Sequence, residues 1–231
     1  MSLTRAQEKL IRSLHDKKGR EESGLCLIEG EKNIEAAGEA VEFAFRREDT
    51  PGFNRLVTTE TPQDVAAVAK IPVWSEDAIR HQPTIVVLDG VQDPGNVGAA
   101  LRLCLGFHAS LVLIESADPT SPKVIRASVG AMFQVPWREI ARTQAEAYLA
   151  DIGRPVYRLE KTPASQDISL LAKEAAVTLI AGSEGQGIHL PTEGQALAIR
   201  HDPRLESLNV GHALAIALHE REKRLNPTIP S

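Results

Sequence analysis

A chain of 231 residues is long enough for one large domain or two small ones, and its 42% hydrophobic and 25% charged residues are ordinary for a globular protein. A net charge of −5 argues against general affinity for nucleic acid, and 4% aromatic residues leave few rings for base-stacking platforms. No apolar run approaches the ~20 residues of a membrane span, and the N-terminus is polar without an apolar signal core, so the expected compartment is the cytoplasm. The two cysteines, Cys26 and Cys104, sit in apolar stretches far apart, as expected of buried free thiols in a reducing compartment. No Cys-x-x-Cys spacing suggests zinc, and no metal is expected.

In chain order, residues 4–14 have helical spacing at Leu10, Ile11 and Leu14. Within the first twenty residues Arg5, Lys9, Arg12, Lys17, Lys18 and Arg20 outnumber Glu8 and Asp16. This stretch is either a solvated amphipathic helix with its loop or a local patch for nucleic acid, with Arg12, Lys17, Lys18 and Arg20 as the candidate contacts. Residues 25–28 read as a buried strand and 30–40 as a helix. Strands are expected at 41–45, 55–58 and 72–74, with a short helix near 65–70. Residues 76–83 are polar and end in proline, which suits a linker. The rhythm then changes. Ile85-Val86-Val87-Leu88 is a strand without alternation, as when both sheet faces are covered. A helix over 97–106, a strand over 111–114 and a helix over 123–132 follow. Further strands are expected at 155–159, 177–181 and 196–199, with a terminal helix over 208–224. The alternation predicts an α/β fold with a mostly parallel, doubly covered sheet.

Three segments combine a close-approach backbone with polar side chains where strands give way to loops or helices. The first is Asp93-Pro94-Gly95-Asn96-Val97-Gly98, with Arg102 behind it. Asn96 is placed to cap a helix, and Arg102 is either a solvated helix residue or a fixed cation for a phosphate. The second, Gly182-Ser183-Glu184-Gly185-Gln186-Gly187, lets a ligand lie against backbone. It lacks the Lys-Ser/Thr of a P-loop and does not match G-x-G-x-x-G, so on its own it is equally a tight turn. The third, Ser207-Leu208-Asn209-Val210, offers Ser207 as a helix cap and Asn209 as an amide for a ligand.

In this order and spacing the three segments resemble the SpoU (TrmH) branch of the SPOUT RNA methyltransferases, over residues 84–224. The run Asp118-Pro119-Thr120-Ser121-Pro122-Lys123-Val124-Ile125-Arg126-Ala127-Ser128 looks like the family's connecting segment. Ile11-Arg12-Ser13-Leu14 and Ile28-Glu29-Gly30 are similar, more weakly, to the family's RNA-binding domain related to ribosomal protein L30e. The resemblance implies an L30e-like domain over 1–78 that binds the RNA substrate, a linker at 79–83, and a SPOUT domain over 84–231 with a parallel sheet tied in a deep trefoil knot, a rare exception to the rule against threaded loops. It also implies a homodimer that transfers a methyl group from S-adenosylmethionine to a ribose 2′-hydroxyl of rRNA or tRNA. Carried over, Gly182, Ile199 and Leu208 would contact the cofactor. Asn96, Arg102, Glu184, Ser207 and Asn209 would serve the reaction, Arg102 as a cation on the RNA phosphate and on developing alkoxide charge.

Two departures from the family pattern stand out. Gly211 follows Asn-Val where serine is usual, and Arg200-His201 stands where Pro-Met is common. Other readings are an RNA-binding or ribosome-assembly protein with weak or no catalysis, and a Rossmann oxidoreductase, which the missing dinucleotide fingerprint disfavours. Base-directed methylation fits the motif set less well than ribose methylation.

Overall fold

The computed structural model describes residues 3–171, 175–183 and 185–225, the last three without their side chains. The chain forms two compact units, Met1–Val73 with Asp118–Gln134, and Trp74–Ala117 with Val135–Ser231.

The first unit holds a three-stranded antiparallel sheet of β1 (Leu25–Glu29), β2 (Val41–Arg46) and β3 (Val65–Lys70), with β3 in the centre. Its helices are α1 (Arg5–Ser13), α2 (Lys17–Ser23), α3 (Glu31–Ala37) and α6 (Pro122–Ser128). Thr4 and Gln7 form a reciprocal capping box that starts α1. Ile11 and Leu14 then join Leu27, Phe45, Phe53, Leu56 and Val68 in the core. Residues 65–70 were expected as a helix. They form the central strand instead, because Val65-Ala66-Ala67-Val68-Ala69 is buried on both faces and tertiary burial overrides alanine's helical preference. Residues 55–58 and 72–74, expected as strands, lie outside the sheet. Phe53–Arg55 is a 3-10 turn whose Phe53, with Leu56 next to it, fills the core without pairing. The segment Asp118–Gln134 belongs to this unit: α6 packs on β1, and Gly130, with φ +78°, leaves no room for a Cβ, which would meet the Ala36 Cβ at 2.2 Å.

The second unit is built on seven parallel strands in the order β6 (Trp137–Glu139), β5 (Ala109–Ile114), β4 (Thr84–Asp89), β9 (Val177–Gly182), β7 (Val156–Leu159), β10 (Gln195–Ala198) and β8 (Gln166–Asp167). β4 and β5 are buried along their whole length, which explains their lack of alternation. α4 (Glu76–Arg80) and α7 (Arg142–Ile152) supply Ile79, Ala145 and Leu149 to a cluster with Ile85, Val87, Val112 and Ile180. α5 (Pro94–Gly106) packs on β5 and against α8 (Val210–Leu225). The polar stretch 76–83, expected as a linker, therefore contains α4, whose buried Ile79 also accepts a hydrogen bond from Ser110. β6 and α7 carried too weak a periodicity to be expected.

Both thiols are buried, and desolvation pushes Cys26 up to about 12 and raises Cys104 as well. Among the described residues no helix is long and apolar enough to cross a membrane, and no group of His, Cys, Asp and Glu could hold a metal ion.

Candidate functional site

Four parallel strands of the second unit end side by side. Asp89 of β4 pairs with Gly182 of β9, Leu159 of β7 with Ala181, and Leu197 of β10 with Leu159. The C-terminal edge of such a sheet is where ligands collect. A cavity of about 390 Å³ lies there, lined by Leu159, Gly182, Leu197, Ile199, Ser207 and Leu208, among others. Its volume lies in the range of small-molecule sites. Gly182, Ile199 and Leu208, far apart in sequence, are thus brought together. Apolar side chains wall one part of the cavity, while Glu160, Lys161, Thr162 and Glu206 line its polar parts.

A second cavity of about 300 Å³ is lined by Gly90, Val91, Gln92, Asp93 and Asn96, and shares Ser183, Gln186 and Val210 with the first. The two spaces therefore adjoin across the glycine loop. Asn96 faces the second cavity, and Ser207 the first. Asn209 is bonded to Asn96, its Nδ2 donating to the Asn96 Oδ1 at 2.8 Å. Arg102 lies in neither lining. It is exposed on α5 and, among the described residues, has no carboxylate partner. Glu184 lies outside the described residues.

The caps differ from the sequence expectation. α5 begins one turn earlier, and Asp93, not Asn96, caps it, accepting the Asn96 N–H at 2.8 Å. This frees the Asn96 side chain for Asn209. α8 begins at Val210, and Asn209, not Ser207, caps it by accepting the N–H groups of Gly211 at 2.9 Å and His212 at 3.3 Å. One Asn209 amide thus fixes both the start of α8 and the orientation of Asn96. Gly211 sits where α8 meets α5. An added Cβ would lie 3.2 Å from the Asn209 Oδ1 and 3.4 Å from the Ala99 Cβ, so its small size serves close packing.

The glycine loop is held from below by a residue that the motif reading missed. Asp89 is fully buried, and its Oδ2 accepts the N–H groups of His189 at 2.6 Å and Leu190 at 2.8 Å. Its Oδ1 accepts from Arg142 at 2.8 Å, and Arg142 also binds Glu115. Within the loop, Gly187 donates to the Ser183 carbonyl at 2.9 Å. Gly182 has no room for a side chain: a Cβ would lie 2.1 Å from the Gly187 carbonyl group. An acidic residue directly after the apolar run Ile85-Val86-Val87-Leu88 was the available sign of Asp89, since burial of such a charge demands partners.

Of the basic candidates, Arg12, Lys17 and Lys18 are exposed but laced with acids, at 3.9 Å to Glu8, 3.8 Å to Glu21 and 3.7 Å to Glu22. Arg20 does not fit its expected role. It is 3% exposed, pairs with Asp118 at 2.5 Å, and donates to Thr120 and to the carbonyls of Leu14 and His15. Burial raises the Asp118 carboxyl, but hydrogen bonds from Thr120 and Arg20 outweigh it and hold it below the usual range. Arg20 is a buried tie between α2 and the Asp118 segment.

Compared with known proteins, the family model described as SpoU rRNA Methylase matches residues 83–219. The chain is 28% identical to the 23S rRNA (guanosine(2553)-2′-O)-methyltransferase of Bacillus subtilis, over 90% of this chain and 92% of that protein. It is 32% identical to the 23S rRNA (adenosine(1067)-2′-O)-methyltransferase of Streptomyces azureus, over 76% of this chain and 68% of that protein. A solved TrmH-family protein from Porphyromonas gingivalis has a TM-score of 0.80 at 30% identity, covering 96% of this chain and 99% of its own. The AdoMet-bound rRNA methyltransferase of Sinorhizobium meliloti, at 24% identity, shares the fold with a TM-score of 0.83 over 97% of this chain and 98% of its own.

Proposed function

Since the chain belongs to the SpoU rRNA methylase family, we propose that it transfers a methyl group from S-adenosylmethionine to a ribose 2′-hydroxyl of rRNA or tRNA. The observation that carries this reading is the pair of adjoining cavities at one sheet edge, with the apolar one built by Gly182, Ile199 and Leu208 and the other walled by Asn96. The larger cavity suits the cofactor by its own chemistry. Apolar walls from Leu159, Leu197, Ile199 and Leu208 fit an adenine ring, and the missing Gly182 side chain lets the Gly187 backbone close the loop against it at the cavity's edge. When bound, the cofactor supplies a methyl group activated on a sulfonium centre.

The chain's own residues then have separable tasks. The Asn209–Asn96 hydrogen bond fixes an amide at the wall of the second cavity, where the ribose would lie. Alignment of two bound reactants is worth ~7–11 kcal/mol of the barrier, so a fixed amide matters more than an acid or base of tuned strength. Arg102 follows Asn96 by six residues on α5, roughly 9 Å along the axis. An exposed guanidinium outside both cavities suits an RNA phosphate; its action on the developing alkoxide charge is carried over from the family pattern alone, and it is never a base. Ser207, at the wall of the larger cavity, and Glu184, in the glycine loop, complete the proposed reaction set.

We assign the family's deep knot to the segment from β9 to α8, because its loops at Gly182, Ile199 and Leu208 line one cavity. We assign the first unit, Met1–Val73 with Asp118–Gln134, to an L30e-like RNA-binding role and the second to catalysis, where the sequence reading puts a binding part at 1–78, a join at 79–83 and a catalytic part at 84–231. A homodimer in the cytoplasm completes the proposal. Two experiments test it. Calorimetry should find one S-adenosylhomocysteine site per chain. Mapping of 2′-O-methyl positions in RNA from cells with and without the protein should show one ribose losing its methyl group. A protein that binds no cofactor would sink the reading.

A further inference from the structure

The second cavity has a fixed polar group beyond Asn96. Gln92 stands on the loop after β4, exposed and in the cavity lining. The loop itself is tied down. Gly90 donates to the Ile114 carbonyl at 2.9 Å, Val91 to the Ser116 hydroxyl at 3.1 Å, and Ala117 to the Val91 carbonyl at 2.9 Å. The Gln92 side chain is tied down as well, its Nε2 donating to the carbonyl oxygen of Glu115. A carbonyl can only accept, so the amide has one orientation, with Nε2 toward the protein and Oε1 turned away from it. Glu115 presents that carbonyl at a backbone φ of +45°, which a residue with a side chain adopts at a cost. Its carboxylate binds Arg142, which in turn binds Asp89 beneath the glycine loop. Gln92 thus offers an accessible acceptor at the end of a rigid chain of contacts.

We propose that Gln92 Oε1 accepts a hydrogen bond from an exocyclic amine of the target base, and so selects adenosine, guanosine or cytidine over uridine. The inference rests on the methyltransferase reading. The cofactor cavity lies over the ends of β9, β7 and β10, whereas Gln92 leans onto the loop after β5, on the other side of β4. Asn96, bonded to Asn209, is the amide on the cofactor's side, where the ribose belongs. Gln92 therefore meets what the ribose carries, a base or a phosphate. A phosphate does not fit. Among the described residues no Lys or Arg lines this cavity, and an amide oxygen near the Asp93 carboxylate repels an anion. A base does fit, since it is neutral and its amine matches the acceptor, the pairing by which side-chain amides read bases. Uridine carries only exocyclic carbonyls, which would meet Oε1 acceptor to acceptor. Gln92 is thus a specificity-determining residue, with no part in moving the methyl group.

Mapping of 2′-O-methyl positions supplies the target nucleotide. Transcripts carrying it are then compared with transcripts in which it lacks its amine: purine riboside for adenosine, inosine for guanosine, pyrimidin-2-one riboside for cytidine. On each, kcat/KM for methyl transfer is measured with the full-length wild type and with Gln92→Met, which keeps the length of the side chain without its amide. Loss of the amine should cost the wild type about fivefold, the scale of one neutral hydrogen bond, and should cost Gln92→Met nothing further. Gln92→Met should bind S-adenosylhomocysteine in calorimetry as the wild type does, because the residue lies outside the cofactor cavity. A mapped uridine, a wild type indifferent to the amine, or an equal penalty in both enzymes, which belongs to the RNA, would overturn the inference. A wild type that methylates no ribose would instead overturn the methyltransferase reading.

Discussion

Asp89 and Arg102 are two charged residues set very differently toward the proposed site. Asp89 is buried and holds three donors, two of them backbone N–H groups of the segment beyond the glycine loop. Asp89→Ala would leave the buried Leu190 N–H unpaired, at about 1–3 kcal/mol before relaxation, while the part-buried His189 N–H can turn to water and Arg142 keeps Glu115. We expect a lower melting temperature and, measured well below it, cofactor affinity reduced at least ~10-fold as the loop drifts. A control such as Leu149→Ala, costing about 2–5 kcal/mol through a core cavity, should leave that affinity unchanged. If both variants bind cofactor equally well, Asp89 is merely a core residue. Arg102 is the opposite case, exposed and outside both cavities. Arg102→Ala should leave stability and cofactor affinity within a few-fold and lower methyl transfer by at least ~100-fold, the scale of one lost charge-stabilising group. Full transfer by this variant on a confirmed substrate would reduce Arg102 to a surface arginine.

At the scale of elements, the glycine loop is the most constrained piece. Gly182→Ala pushes a methyl group into the Gly187 backbone, and no flexible side chain can give way. Loss of cofactor binding is expected, with a destabilised but folded protein; normal affinity measured by calorimetry would mean the loop is not part of the site. The basic helices make a second test. Lys17→Ala with Lys18→Ala should flatten the salt dependence of RNA binding by roughly one to two units of slope, because exposed, weakly paired lysines remain available to phosphate. Arg20→Ala should instead cost about 3 kcal/mol of stability by leaving the buried Asp118 unpaired. Here the limits of the sequence are visible. Charge counting cannot tell Arg20 from Lys18, since Arg20's partner lies 98 residues away. The alanine-rich β3 reads as helix because only its central position in the sheet reveals its burial on both faces. The strands β4, β5 and β9 were legible, since a continuous apolar run with β-branched residues has few other solutions. The caps were two or three residues off: Asp93 and Asn209 take the roles expected of Asn96 and Ser207, a choice set by the backbone path and not by residue type.

For the whole molecule, the residues that matter come from sequence positions more than 110 apart, as the Asn209–Asn96 bond illustrates. Motif order could bring them to one place only through a known family pattern; periodicity alone could not. The sheet order β4-β9-β7 then sets Gly182 beside Asp89, and in the proposed reading the adjoining cavities would take the methyl donor and its acceptor. The most direct test is a transfer assay with S-adenosylmethionine carrying a labelled methyl group, using ribosomal and transfer RNA lacking native methylation, followed by digestion to nucleosides. The label should appear on a ribose 2′-oxygen, and Asn96→Ala should abolish it while still binding S-adenosylhomocysteine. Label recovered on a base, or equal transfer by Asn96→Ala, would contradict the assignment of these two cavities.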